Sequence, residues 1–180
     1  MTRGLSWGLV LLSAGLYALA FPPFPLPESA YVFALPLLIG FAFLGARQFS
    51  FLQFFVGGWL SWIVLIFWLR HFTDHLSMWF APVLSWSAML SLAAVMGLFW
   101  AGWFAAVRYI FERALERATL ARVLSILGLA SLWIVLEWVR TWLLSGFPWL
   151  PLAASQWDRT LILQISSLTG QWGVSFVLIS

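Results

Sequence analysis

The stretch EWVRTWLLSGFPWLPLAASQWD, residues 137–158, sets a glutamate and an arginine among apolar residues and follows them with Gly-Phe-Pro-Trp. What such a pair means depends on the solvent its helix meets. Composition answers that. Of 180 residues, 63% are hydrophobic and only 8% charged, whereas a soluble domain has roughly 45–50% apolar and ~25% charged residues. The charges cluster, which leaves uncharged runs of about 18 residues or more, the length of transmembrane helices. The expected fold class is an all-α integral membrane protein.

Two absences bear on chemistry. The chain has no cysteine, which excludes disulfides and thiol catalysis. All nine basic residues are arginines, so there is no lysine either. The net charge of +3 invites a nucleic-acid reading. The arginines sit between apolar runs, however, where they set membrane topology, and no nucleic-acid partner is expected.

Working outward from residue 137, the pattern predicts about six transmembrane helices: 5–21, 29–46, 51–69, 78 to beyond 106, 123–144 and 161–180. The first ends at FPPFPLP, where prolines stop the helix. It lacks a small-x-small cleavage site and leads into further spans, so it reads as a retained helix rather than a signal peptide. The segment VRYIFERALERATLAR, 107–122, keeps helical apolar spacing with its charges on the other face. It predicts a helix leaving the membrane along its surface, with Arg108 and Glu112 paired four apart.

Arginine placement orients the chain. With the N-terminus cytoplasmic, Arg3, Arg47, Arg108, Arg113, Arg117 and Arg122 are inside, and only Arg70, Arg140 and Arg159 lie toward the other face. Three turns then face outward: 21–29, 70–77 and 145–159.

Glu137 lies fifteen residues beyond Arg122. At 1.5 Å per residue that is ~22 Å into a hydrocarbon core of about 30 Å, within the outer leaflet. An isolated charge there costs on the order of 1–3 kcal/mol, so the pair faces the bundle interior. Two readings are open. Glu137 and Arg140 are a structural lock, or they help form an outward pocket where the arginine fork meets lipid phosphate. Trp138, Trp142, Trp149 and Trp157 suit an interfacial aromatic belt. Gly146 and Pro148 end the helix and shape a rigid corner over 145–149. Ser145 has no histidine at a nucleophile's spacing. His71, Asp74 and His75 read as solvated loop residues, so no metal or other cofactor is expected.

LAFPPF (19–24), EWVRTWLLSGFPW (137–149), ASQ (154–156) and LTGQWGVSFVL (168–178) together resemble apolipoprotein N-acyltransferase. The resemblance runs in order along essentially the whole chain. It implies a bacterial inner-membrane enzyme of eight transmembrane helices, with a nitrilase-like domain inserted between the last two. It further implies ping-pong chemistry. A cysteine takes an acyl group from a phospholipid donor and passes it to the amine of a diacylglyceryl lipoprotein acceptor. A glutamate serves as base and a lysine stabilises the oxyanion. All three residues belong to the nitrilase-like domain.

Without cysteine or lysine, this chain cannot hold two of those three residues, and no catalytic residue is expected in it. Its last residues, GVSFVLIS, lie inside the sixth predicted helix. The expectation is a transmembrane domain over 1–180, truncated in that helix, lacking the nitrilase-like domain and inactive alone. Glu137, Arg140, Phe147, Pro148 and Trp149 are expected to seat the missing domain and line the lipid entry. The alternatives are a non-catalytic membrane scaffold, a split or degenerate homologue, or a small transporter. A transporter would show paired broken helices or several charges near the midplane.

Overall fold

A computed structural model describes residues 2–24, 26–75, 77–114, 116–143 and 146–180. Among them the chain is all-helical, with no strand. Seven α-helices follow in order: α1 Thr2–Leu19, α2 Leu35–Gly40, α3 Phe51–Leu65, α4 Ala81–Ala114, α5 Thr119–Arg140, α6 Thr160–Leu163 and α7 Ser166–Ile179.

The centre of the bundle is the crossing of α3 on α4, and glycine makes it close. A Cβ on Gly97 would sit 2.8 Å from the Trp59 backbone nitrogen, and one on Gly58 would sit 3.1 Å from the Gly97 Cα. Small residues let helix backbones approach this way. Polar side chains then fasten the helices. Trp59 Nε1 donates to the Leu90 carbonyl at 3.1 Å, and Ser61 Oγ to the Ala14 carbonyl of α1 at 3.0 Å. Trp103 Nε1 donates to the Leu129 carbonyl of α5 at 2.9 Å. The start of α3 is a capping box: the Ser50 hydroxyl accepts from the Gln53 N–H, and Gln53 Oε1 accepts from the Ser50 N–H. Gln53 Nε2 also reaches Ser6 of α1 at 2.9 Å. Between these ties, Tyr17, Phe33, Trp103, Phe104 and Trp133 form a buried aromatic cluster, with edge-on pairs such as Trp103–Trp133 at 5.1 Å between ring centres.

Two helices, α4 and α5, are long and apolar enough to cross a membrane. Only 11% of the apolar stretch of α5 is buried within the chain, against 44% for α4. Val123, Leu124, Ile126, Leu127 and Val135 accordingly point away from the bundle.

The other predicted helices differ in detail. The second, expected over 29–46, is broken into a 3-10 turn Pro27–Tyr31, α2, a wider π-helical stretch Phe41–Gly45 and a 3-10 turn Ala46–Gln48. Pro36 at the start of α2 lacks the N–H a continuous helix would use, and Gly45 leaves helical geometry at φ +84°. The third ends at Leu65 and tightens into a 3-10 turn Phe67–His71. The last is split into α6 and α7, and Gly170 takes φ 63° and ψ −165° inside α7.

The predicted surface helix over 107–122 is divided as well. Its first half is the last turns of α4 and its end is the first turn of α5; Leu115, counted in its apolar face, lies outside the described residues. Arg108 donates to the Phe49 carbonyl, while Glu112 stands 3.9 Å from Arg47. The expected Arg108–Glu112 pair is therefore not formed, because each group finds a partner on the loop before α3.

Candidate functional site

The turns after α1, α3 and α5 converge at one end of the bundle. Gln156 Nε2 donates to the Pro27 carbonyl at 2.9 Å, and Trp68 packs on Trp149 at 5.2 Å between ring centres. Beneath this convergence lie the two charges.

Glu137 and Arg140 are 4% and 6% exposed. Their helix ends at Arg140, so the pair occupies its last turn. The guanidinium Nη2 stands 3.8 Å from Glu137 Oε1, too far for a hydrogen bond but close enough for strong attraction in a buried setting. The same oxygen accepts two shorter bonds: Trp133 Nε1–H at 2.8 Å, one turn earlier on α5, and the Leu152 backbone N–H at 2.6 Å. Arg140 lies with its Cζ 5.3 Å from the centre of the Trp62 ring and Nη1 3.7 Å from Met96 Sδ. A cation over an indole face within about 6 Å is attracted to it. The arginine is thus held by an anion, a π-face and a sulfur rather than by solvent.

The carboxylate organises the turn that follows. Leu152 begins a 3-10 turn, Leu152–Gln156, which is buried except at Ala154. Its backbone N–H groups cannot all bond within so short a turn, and side chains from other elements accept them. Glu137 takes that of Leu152, and Ser175 Oγ on α7 takes that of Ala153 at 3.0 Å. Ser155 Oγ turns back to the Leu152 carbonyl, and Gln156 grips the first turn. The segment 152–156 is a crosspiece joining α5, α7 and the turn after α1.

The corner between them is shaped as expected in part. Gly146 takes φ +88°, where a Cβ would lie 2.4 Å from the Thr141 carbonyl oxygen, so only glycine fits. The Phe147 N–H donates to the Arg140 carbonyl at 2.7 Å, which closes the helix end. Phe147 packs against Trp62 and against Trp149, at 6.2 and 4.8 Å between ring centres. Pro148 and Trp149 are exposed. The five site residues are therefore contiguous, with two buried charges below, Phe147 between, and Pro148 and Trp149 at the rim. Ser145, the first residue of the expected corner, lies outside the described residues.

Sequence reasoning missed Trp133, Trp62, Gln156 and Ser175. Trp133 was detectable, being four residues before Glu137 on one helix face. Gln156 and Ser175 stand in the quoted ASQ and LTGQWGVSFVL motifs, where no role was assigned to them, and Trp62 comes from a distant element with no local spacing signal. Among the described residues, no group of three or more metal-ligating side chains comes together. His71 Nδ1 lies 2.6 Å from Asp74 Oδ2 in an exposed turn.

At the rim an ion pair fastens the crosspiece to the first turn. Arg159 contacts the Glu28 carboxylate through both Nε and Nη2, and Asp158 through Nη1 at 2.8 Å. The Glu28 carboxyl is held below the ordinary glutamate range, first by its own backbone N–H and then by the Arg159 guanidinium. A carboxyl whose pKa is lower in the fold than in the unfolded chain adds stability above the unfolded value of ~4.3. That stability is lost as pH falls through the lower folded value. Below about pH 4.3, the wild-type melting temperature should therefore fall slightly faster than that of Glu28→Gln. Parallel curves for the two proteins would show that the pair contributes nothing.

The fold and site define a class: an all-helical bundle with two helices able to cross a membrane and a buried carboxylate–guanidinium pair under an aromatic corner. The family model described as the apolipoprotein N-acyltransferase N-terminal domain matches residues 13–180. The chain belongs to that family. It is similar to proteins named apolipoprotein N-acyltransferase from Geobacter metallireducens, at 26% identity over 170 residues, and from Pseudomonas syringae pv. tomato, at 30% over 180. Each alignment covers 94% of this chain, and 31% and 32% of the respective relative. A third, from Azotobacter vinelandii, is 37% identical over 92 residues, covering 51% of this chain and 17% of the relative. The chain thus spans about a third of the length of the two relatives it matches end to end.

Proposed function

We propose that this chain is the membrane-embedded part of an apolipoprotein N-acyltransferase. It sits in the bacterial inner membrane with its N-terminus cytoplasmic and crosses about six times. It serves transfer of an acyl chain from a phospholipid donor to the amine of a diacylglyceryl lipoprotein acceptor. The observation that carries the reading is family membership over 13–180. It is supported by three turns converging over a buried charged pair at one end of an apolar bundle.

The division of labour rests on the family resemblance and agrees with composition. A cysteine nucleophile and a lysine cannot come from a chain that has neither. In the family resemblance the covalent step belongs to a nitrilase-like domain, and this part delivers lipid to it. A phospholipid ester lies at the membrane interface, so delivery needs an apolar, laterally open surface at that depth. Phe147, Pro148 and Trp149 form that surface, and the Glu137–Arg140 pair holds the corner in place. Aromatic rings suit the task because they present apolar area with few rotamers to order.

The test is acyl-enzyme formation from phospholipid in the full-length protein. Trp149→Ala removes an exposed ring and should slow that step about tenfold at unchanged protein level, equivalent to ~1.4 kcal/mol of barrier. Arg140→Ala should slow it as well, after correction for the amount of folded protein. Unchanged rates in both variants would overturn the lipid-entry role.

A further inference from the structure

Among the described residues, three buried side-chain polar atoms make no hydrogen bond within the chain: Arg70 Nε, Trp100 Nε1 and Glu137 Oε2. The last two come from residues that line one small cavity of about 20 Å³, bordered also by Tyr17, Trp62, Met96 and Arg140. Trp100 is 2% exposed and Glu137 4%. A buried polar atom left unpaired is costly, so two such atoms on residues that line one cavity point to a shared partner.

We infer that this cavity is the binding site of a single ordered water. It accepts the Trp100 indole N–H and donates to Glu137 Oε2. Volume sets the size of the ligand: one water needs roughly 10–15 Å³ of such space and two to four polar partners. A lipid head group or acyl chain does not fit. Charge sets its kind. A metal cation is opposed by the Arg140 guanidinium and by an indole N–H that offers no lone pair, and an anion is opposed by Glu137 itself. A neutral ligand that both donates and accepts meets both unpaired groups, and Tyr17 and Arg140 line the same space. Glu137 then uses both oxygens: Oε1 for Trp133 and Leu152, and Oε2, through water, for α4. The water links the α5 carboxylate to the middle of α4, a tie that no direct hydrogen bond of Glu137 supplies.

Structure determination of the full-length protein, at a resolution that shows ordered solvent, tests this. The expected result is a density peak within hydrogen-bonding distance of both Trp100 Nε1 and Glu137 Oε2. Trp100→Phe keeps an aromatic ring, though a smaller one, and deletes the donor, and should abolish or displace that peak. In solution, the Trp100 indole proton should show a cross-relaxation signal to long-lived water that Glu137→Leu removes. A cavity without the peak, or direct contact between the two groups, overturns the inference. Should either variant fail to fold, the wild-type density decides alone.

Discussion

Replacing Glu137 by alanine is expected to destabilise the protein by about 3–5 kcal/mol, the usual consequence of removing one member of a buried ion pair. The magnitude follows from what is left behind. Arg140 stays buried with only a ring and a sulfur for company. The Leu152 and Trp133 N–H groups lose their acceptor at the same moment. Glu137→Gln keeps an acceptor oxygen but no charge, and should cost less than alanine. The informative variant is double: Glu137→Leu with Arg140→Met removes both charges while keeping bulk. Such replacements of buried pairs are often neutral or better, although here two N–H groups remain unpaired. The double variant should therefore recover much of the loss. Thermal unfolding of the purified full-length protein reads all three, and a double variant no better than Glu137→Ala would show that the unpaired charge is not what matters.

Gly97→Leu is the second large effect, and it is purely steric. A Cβ at residue 97 meets Trp59 N at 2.8 Å, Trp59 Cα at 3.1 Å and the Phe55 carbonyl oxygen at 3.2 Å. These are backbone atoms of α3, which cannot rotate aside as a side chain can. Overpacking typically costs 1–3 kcal/mol. Here the two central helices must separate, so the loss should be at least ~3 kcal/mol, with little folded protein accumulating. Gly102 provides the control on the same helix, because a Cβ there meets nothing within 4 Å. Gly102→Leu should leave folding intact. Equal behaviour of the two variants would show that the α3–α4 crossing is looser than its glycines imply.

These two sites were unequally visible in the amino-acid sequence. The charged pair announced itself, because charges are rare in this chain and three-residue spacing places them side by side on a helix. Gly146 marked the corner for a reason that survives in the structure: φ is positive where a Cβ would strike a carbonyl. What holds the pair was not visible. Leu152 contributes a backbone N–H, which every residue but proline carries, so no side chain there advertises the bond. Gln156 and Pro27 are 129 residues apart, and only the folded chain makes them neighbours. The broken second helix was legible in principle from Pro36 and Gly45, but apolar composition alone reads as continuous. Nor did periodicity reveal the glycine crossing, because an all-round apolar helix has no distinct face to read.

The partners of Glu137 also arrive at different times. A ribosome delivers the chain N-terminus first, so residue 137 emerges well before residue 152. Trp133 lies one turn behind the carboxylate and Arg140 less than one turn ahead, both on the same helix. As soon as α5 forms, the charge already has a donor and a counter-ion. The Leu152 amide joins only when the crosspiece is made and docked. The charge is thus chaperoned by its own helix through synthesis, and it becomes a tether between elements only after the later residues reach it.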